Sequence, residues 1–287
     1  MKIHFDPSVD MSGRVCLVTG ATSGHGEGVA LGLARMGAEV VLHGRSEARC
    51  RAVQDRIERA TGRRADYVLC DLTRRDEIRR LAADWLRSRR PLHVLVNNAG
   101  LVSRFRQTTV DGTELTWAVN YQAQYLLTLL LLERLSSSCP ARVVNVSSDM
   151  HRFYRIDFDD LDVSRRYDFM KAYGRSKLAI VYFTVELARR LSASRVTVNA
   201  LDPGPVASRI ADRESGLVAR VASRLIASTF PTPERAAKTA LALASSPLVE
   251  RVTGGYFRFS RQRHPAVREG EAERLWNLTA ATLGVDC

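Results

Sequence analysis

Short apolar runs alternate with helical segments along this chain, and this alternation constrains the fold more than any other feature. The first run, 15–19, is rich in β-branched residues, ends in a glycine-rich turn and is followed by helical character over 27–36. Further strands are predicted at 39–43, 67–70, 92–96, 142–146, 196–201 and 255–259, with helices at 46–61, 76–88, 115–135, 172–191, from the prolines at 231 and 233 to about 244, and at 271–282. Alternating strands and helices predict an α/β domain, doubly wound, with a parallel sheet of about seven strands.

Composition excludes a membrane-spanning chain. The longest apolar stretch, 126–132, is interrupted by Thr128 and is far shorter than a membrane span. Residues 1–10 carry no apolar signal segment, and the five cysteines form an odd set without C-x-x-C spacing. We therefore expect a cytoplasmic protein with free thiols, no structural metal and no transmembrane segment.

The chain is strongly basic, with a formal net charge of +12. Its arginines recur on predicted helix exteriors, as at Arg74, Arg75, Arg79, Arg80, Arg87, Arg89 and Arg90. No helix-turn-helix, zinc or RNA-binding signature accompanies them. This pattern favours a solvated basic surface, and no nucleic-acid partner is expected.

The glycine-rich turn T-G-A-T-S-G-H-G at 19–26 lies at the first strand-to-helix junction, where a doubly wound sheet binds a dinucleotide. Its glycines permit a tight turn and let backbone amides approach a pyrophosphate at the positive end of the helix. The alternative is a tight corner without a ligand.

Arg45 gives the predicted site a cofactor preference. Free ribose hydroxyls are usually met at the end of the second strand by an acidic residue, whereas Gly44-Arg45-Ser46 offers a guanidinium and a hydroxyl suited to a 2′-phosphate. The sequence therefore predicts NADP(H) rather than NAD(H). The alternative is that Arg45 is one more surface arginine.

Tyr173 and Lys177 lie four residues apart, which places both on one face of a helix. A neighbouring cation and a second hydrogen-bond donor lower the pKa of a phenol, as proton exchange near neutrality requires. The strand that ends in Ser147-Ser148 delivers such a hydroxyl to the ligand-binding edge of the sheet. The alternative is a solvated helix face.

Together these motifs resemble the short-chain dehydrogenase/reductase superfamily over nearly the whole chain. The T-G-x-x-x-G-x-G motif at 19–26 and the Y-x-x-x-K pair are joined by four further matches: Asp71-Leu72, N-N-A-G at 97–100, Asn120 and Pro203-Gly204. The resemblance implies one Rossmann domain over 1–287. Its dinucleotide-binding half spans about 11–140, its catalytic and substrate half about 141–287, and a substrate lid about 205–232.

The resemblance also implies residue roles. Tyr173 is the proton donor or acceptor, Ser148 holds the substrate oxygen, Lys177 binds the nicotinamide ribose and lowers the tyrosine pKa, and Asn120 supports a relay water. The candidate cofactor-binding residues are Gly20, Thr22, Ser23, Gly24, His25, Gly26, Arg45, Asp71, Leu72, Asn98, Ala99, Gly100, Tyr173, Lys177, Pro203 and Gly204. Ser148 is preferred to Ser147 because the insert before Tyr173 is similar to that of the retinol-dehydrogenase-like branch, whose serine is the second of the pair.

The chain departs from the family pattern at two positions. His25 stands where the family has Ile, so it either fills that space or contacts cofactor or substrate. Asp202 stands before Pro203-Gly204, where His or Asn is often found. The apolar anchor of the branch's membrane members is not seen before the first predicted strand.

The insert 149–172 supplies the candidate substrate pocket. Its aromatic and methionine residues are Met150, His151, Phe153, Tyr154, Phe169 and Met170. Apolar residues at helical spacing in the predicted lid would select apolar substrates, although core packing gives the same pattern. The acidic residues Asp157, Asp159, Asp160 and Asp162 are typical of a solvated loop, and no metal is expected.

The resulting hypothesis is an NADP(H)-dependent oxidoreductase that moves a hydride between nicotinamide and an apolar alcohol/carbonyl pair. The alternatives are a family enzyme without net redox chemistry, such as an epimerase or dehydratase, and a cofactor-binding sensor or scaffold. A homodimer or homotetramer is expected through the apolar helical segments 125–132 and 181–187.

Overall fold

An eight-stranded sheet forms the centre of the computed structural model, which describes residues 1–204 and 232–286. The strands are β1 (Val15–Val18), β2 (Glu39–Gly44), β3 (Asp66–Leu69), β4 (Val94–Asn97), β5 (Ala141–Val146), β6 (Val196–Asp202), β7 (Tyr256–Arg258) and β8 (Arg261–Arg263). Their order is β3-β2-β1-β4-β5-β6-β7-β8, with all neighbours parallel except β7 and β8. The predicted parallel sheet is confirmed, with an additional antiparallel edge strand.

Helices cover both faces of the sheet. They are α1 (Gly24–Arg35), α2 (Glu47–Thr61), α3 (Arg75–Arg87), α4 (Leu115–Trp117), α5 (Ala123–Leu130), α6 (Leu132–Ser137), α7 (Phe169–Arg190), α8 (Pro233–Ser245) and α9 (Glu271–Leu283). One apolar cluster joins the sheet to α3, α5, α7 and α9, and a second joins it to α1, α2 and α8. This arrangement is the predicted doubly wound fold. The predicted lid falls almost entirely outside the described residues.

The helix predicted over 115–135 is interrupted. Glu114 caps its start, because the buried carboxylate accepts hydrogen bonds from the backbone N–H groups of Thr116 and Trp117 at 2.9 and 2.8 Å. A π-helical turn, Ala118–Gln122, then separates α4 from α5. Such turns occur mostly as single insertions within α-helices and often at functional sites.

Strands β7 and β8 form a hairpin with a two-residue loop. Arg258 pairs with Arg261, and the loop residues Phe259 and Ser260 have φ angles of 48° and 57°. Positive φ at both positions suits the right-handed twist of a hairpin, although Asn-Gly is the usual pair there. The sequence prediction missed β8 because Arg-Gln-Arg has no apolar alternation.

The last helix covers the two apolar helices predicted to form an oligomer interface. Trp276 of α9 stacks on Phe183 of α7 with ring centroids 5.8 Å apart and packs edge-on against Tyr125 of α5 at 5.0 Å. These aromatic residues are buried within the chain itself. Among residues 1–204 and 232–286, the structure contains no helix that is both long and apolar enough to cross a bilayer.

Candidate active site

The predicted site residues gather at the carboxyl edge of the sheet, where a doubly wound fold binds its ligands. The glycine-rich turn follows β1, Asn98 follows β4, Ser148 follows β5 and Pro203-Gly204 follows β6. The π-helical turn brings Asn120 to the same edge, and α7 brings Tyr173 and Lys177. Residues distant in sequence therefore form one site.

Three positions of the glycine-rich turn require glycine, because of backbone conformation or close packing. Gly20 and Gly24 have φ angles of 64° and 56°, in the left-handed region that favours glycine. A Cβ atom on Gly26 would collide with the Asn98 side chain and the Gly20 carbonyl oxygen. Asn98 also donates hydrogen bonds to the Thr19 and Gly20 carbonyl oxygens at 2.8 and 3.3 Å, so the turn is held against the end of β4.

The start of α1 fits the pyrophosphate of a dinucleotide. Ser23 is the N-cap residue, and its side chain makes no capping hydrogen bond. The first N–H groups of an α-helix have no partner within the helix, and the helix dipole makes this end positive. The backbone of this turn can therefore bind an anion.

His43 also holds the glycine-rich turn, a role that the sequence analysis missed because His43 lies within an apolar strand. Its Nδ1 accepts a hydrogen bond from the Gly20 N–H at 3.2 Å, so Nε2 donates to the Cys70 carbonyl oxygen at 3.1 Å. Burial lowers the pKa of His43 to about 4, which keeps the ring neutral. A buried histidine therefore joins β1, β2 and the end of β3.

Arg45 is exposed beyond the end of β2, where the sequence predicts the 2′-phosphate. Its guanidinium lies 3.8 Å from the carboxylate of Asp71, which follows β3. Ser46 is the N-cap residue of α2 and makes no side-chain capping bond. A guanidinium, a hydroxyl and a carboxylate therefore line the predicted adenosine end.

The catalytic candidates lie together. The Ser148 side chain faces the phenol of Tyr173 and lowers its pKa, and the Lys177 ammonium lies 5.5 Å from the centre of the Tyr173 ring. Lys177 is buried and donates to the Val146 carbonyl oxygen at 3.0 Å. Ser147 turns away and donates to the Lys177 carbonyl oxygen at 2.7 Å. Of the two serines, Ser148 therefore faces the tyrosine.

Burial determines the protonation states of Tyr173 and Lys177. It raises the pKa of Tyr173, and the Ser148 hydrogen bond lowers it in part. Burial also lowers the pKa of Lys177 to about 8, against the opposing effect of the Asp202 charge. Near neutral pH the site therefore holds a protonated phenol beside a cationic ammonium.

Asn120 positions the neighbouring loop. Its side chain accepts from the Leu101 N–H at 2.8 Å and donates to the Leu101 carbonyl oxygen and the Ser176 hydroxyl, each at 3.0 Å. Ser176 in turn donates to the Tyr173 carbonyl oxygen at 2.7 Å. The Asn120 amide thus joins Leu101, the residue after the 97–100 segment, to α7.

His25 fills a buried space behind the turn. Only 6% of the residue is exposed, and its Nδ1 lies 2.9 Å from the Asn98 Oδ1. Burial lowers the pKa of His25 to about 4, with a further lowering effect from the charge of Lys177. Both interpretations of His25, packing in place of the family's isoleucine or contact with cofactor or substrate, stay predictions.

The pocket candidates separate into buried and exposed residues. His151 is fully buried, with Nδ1 2.8 Å from the Ser148 carbonyl oxygen and its ring against Tyr256. It supports the serine loop, and its place in the substrate pocket stays a prediction. The Tyr154 ring fills the space beside Gly174. Met150 is partly buried, Phe153 is 77% exposed, and Phe169 and Met170 are 36% and 37% exposed.

A glycine-rich turn lies at the carboxyl edge of a doubly wound sheet, and Ser148, Tyr173 and Lys177 lie at the same edge. This combination is typical of Rossmann-type dehydrogenases. The family model described as short chain dehydrogenase matches residues 14–216. The chain therefore belongs to the short-chain dehydrogenase family, in its retinol-dehydrogenase-like branch. Human retinol dehydrogenase 14 is 36% identical across 98% of this chain and 89% of the relative.

Solved structures agree with this assignment. A protein from Mycobacterium paratuberculosis matches with a TM-score of 0.78 and 29% identity, covering 99% of this chain and 98% of the other. The NADP active-site complex of RhlG from Pseudomonas aeruginosa matches with a TM-score of 0.71 and 27% identity, covering 88% and 97% of the two chains.

Proposed function

We propose that the protein is an NADP(H)-dependent oxidoreductase that interconverts an apolar alcohol and its aldehyde or ketone. The observation that carries the proposal is the buried Lys177 ammonium 5.5 Å from the Tyr173 ring, with the Ser148 side chain facing the phenol. When bound, the cofactor supplies the hydride. Ser148 orients the substrate oxygen, and Tyr173 passes it a proton during carbonyl reduction.

The NADP(H) preference rests on Arg45 and Ser46. An exposed guanidinium and a hydroxyl that makes no capping bond suit a phosphate, and the NADP complex named for the Pseudomonas relative accords with this choice. Fluorescence titration of the purified protein with NADPH and NADH tests it. We expect tighter binding of NADPH, with the difference lost in Arg45→Ala. Equal affinity for both cofactors would contradict the preference.

The substrate class rests on Phe169 and Met170, which are partly exposed in the first turn of α7, the helix that carries Tyr173. A screen of hydrophobic ketones and aldehydes for NADPH oxidation should include retinal, because the human relative is named for retinol. With deuterated NADPH, a net reductase leaves one deuterium on the product and oxidises cofactor stoichiometrically. Product formation without cofactor oxidation would favour an epimerase or dehydratase instead.

Tyr173→Phe tests the acid/base role directly. We expect NADPH affinity to persist, because only the hydroxyl is removed, while carbonyl reduction falls by about 100-fold or more. Tight NADPH binding by the wild type with no turnover across a broad panel would favour a sensor or scaffold. A near-normal rate in Tyr173→Phe would remove the role assigned to this residue. The cytoplasmic location stays a prediction, which cell fractionation tests.

A further inference from the structure

Asp202 is a buried charge at the end of β6. The residue is 6% exposed, and its Oδ1 accepts a hydrogen bond from the Gly204 N–H at 2.9 Å. Gly204 has a φ angle of 74°, a conformation that a side chain would strain. The carboxylate therefore holds the Pro203-Gly204 turn in its left-handed form.

Arg258 connects Asp202 to the loop that carries Ser148. It lies opposite Asp202 in the parallel register of β6 and β7, with Nε 3.2 Å from the Asp202 Oδ2. The same guanidinium pairs with Asp149, the residue after Ser148. Asp149 also accepts from the Tyr256 hydroxyl at 3.2 Å and from the Arg152 Nε at 3.1 Å. One arginine thus joins two segments of the active site.

Lys177 needs a compensating negative charge, because a buried ammonium is costly without one. Within residues 1–204 and 232–286, no carboxylate lies at ion-pair distance from its Nζ. Asp202 is placed to supply this charge, because Lys177 binds the Val146 carbonyl oxygen and Val146 lies opposite Leu201, the residue before Asp202. The Asp202 charge acts on Lys177 and also on Tyr173.

The other charged and titratable groups around Asp202 come from three elements. Arg258 and Tyr256 face it from β7, Asp149 from the loop after β5, and Tyr173 and Lys177 from α7. Lys177 is also faced by His25 of α1, whose low pKa leaves it neutral.

We propose that Asp202 is a positioning residue for the reaction: anchored by Arg258, its carboxylate keeps the Lys177 ammonium charged and fixes the Pro203-Gly204 turn. This inference rests on the proposed role of Tyr173 and Lys177 in proton transfer. It assigns a purpose to the acidic residue that stands where the family often has His or Asn.

The groups around Asp202 determine its own pKa, and its charge in turn affects the pKa values of Lys177 and Tyr173. Burial raises the pKa of Asp202, whereas the Gly204 N–H and the Arg258 guanidinium stabilise its charged form. The Asp202 charge raises the pKa of Lys177 and of Tyr173. Neutralising Asp202 therefore lowers both pKa values, and Lys177 loses its proton at a lower pH.

The small number of lysines allows the change in the Lys177 pKa to be measured without enzymatic turnover. The chain contains four lysines, Lys2, Lys171, Lys177 and Lys238, of which only Lys177 is buried. Cofactor-free protein labelled with ¹³C and ¹⁵N in lysine gives one side-chain NMR signal for each. Arginine variants at the other three positions assign the Lys177 signal by elimination.

Asp202→Asn is the decisive variant, because it keeps an oxygen to accept the Gly204 N–H and removes the charge. We expect the Lys177 titration midpoint, about 8 in the wild type, to fall by about half a unit to one unit. Asp149→Asn is the matched control, since it removes the other carboxylate of Arg258, which does not act on Lys177. An Asp202→Asn titration that superimposes on the wild type would overturn the proposal.

Kinetics give a second readout. Carbonyl reduction should slow as the pH rises through the Lys177 pKa, and Asp202→Asn should move this alkaline limb to lower pH. Asp202→Ala also loses the Gly204 anchor, so its Kd for NADPH should rise while that of Asp202→Asn changes less. If the wild type reduces no carbonyl, the proposed function is contradicted, but the NMR titration still tests the effect of Asp202 on Lys177. If the wild type is active and the Lys177 titration midpoint is unchanged in Asp202→Asn, only the role of Asp202 is contradicted.

Discussion

Two adjacent serines end β5, and the structure gives their hydroxyl groups different partners. Ser148→Ala removes the hydroxyl that faces the Tyr173 phenol and lowers its pKa, so we expect kcat to fall by about 100-fold or more. Ser147→Ala removes the bond to the buried Lys177 carbonyl oxygen and should lower the free energy of unfolding by about 1–3 kcal/mol while turnover persists. Steady-state kinetics and urea unfolding separate the two. Loss of turnover in Ser147→Ala alone would reverse the assignment.

Histidines buried in neutral form make the stability of the protein depend on pH. The pKa values of His25 and His43 fall from 6.5 to about 4 on folding. The unfolded chain therefore binds more protons than the native state between these values, and the free energy of unfolding decreases as the pH falls through this window. Above pH 6.5 their contribution is fully present.

His25→Ile tests this dependence with the residue usual in the family. Between pH values of about 4 and 6.5, we expect the slope of the unfolding free energy against pH to decrease by about 1.4 kcal/mol per pH unit. This decrease corresponds to about one proton fewer taken up on unfolding. The matched control is His4→Asn, because His4 is exposed. Chemical denaturation across this pH range measures the slope, and an unchanged slope in His25→Ile would contradict the prediction.

At the scale of elements, the turn between β1 and α1 couples backbone geometry to cofactor affinity. A methyl group on Gly26 collides with Asn98 and Gly20, so Gly26→Ala must shift the turn. We expect the Kd for NADPH to rise by about tenfold or more, equivalent to about 1.4 kcal/mol. Isothermal titration calorimetry measures this change.

Gly62→Ala is the matched control for this prediction. Gly62 also has a positive φ, 70°, but it ends α2, and a methyl group there would meet no atom of the described residues within 4 Å. We expect this variant to lose about 1 kcal/mol of stability with its NADPH affinity intact. Equal losses of affinity in both variants would indicate a general effect of destabilisation.

The elements with a strong local pattern could be predicted from sequence. Seven strands and the doubly wound arrangement follow from apolar runs and glycine-rich turns, and Tyr173 and Lys177 follow from helical spacing. The π-helical turn could not be predicted, because 115–135 has the pattern of one continuous helix and the insertion depends on tertiary contacts. His43 and Arg258 were missed because their partners lie in other strands or loops.

At the scale of the whole molecule, α9 closes the apolar layer over α5 and α7. Trp276→Ala should lower the free energy of unfolding by about 3–5 kcal/mol, because it empties the space that the indole fills against Tyr125 and Phe183. Trp276→Phe, which keeps a ring, should cost less. Calorimetric unfolding compares the two, and equal costs would contradict a packing role.

The oligomeric state stays a prediction at this scale. The apolar character of segments 125–132 and 181–187 is accounted for in part by the cover that α9 provides. Light scattering distinguishes a homodimer or homotetramer from a single 32.0 kDa species. A monomer alone would contradict the expected association.

The contact between Tyr125 and Trp276 also bears on how fast the chain folds. It joins residues 151 positions apart, and the Tyr125 hydroxyl donates to the Trp276 carbonyl oxygen at 3.2 Å. The entropy of closing so long a loop must be overcome before such a contact gives any stabilisation. We therefore expect this ring cluster to form after the folding transition state, so that its strength sets the lifetime of the native protein more than the speed of its folding.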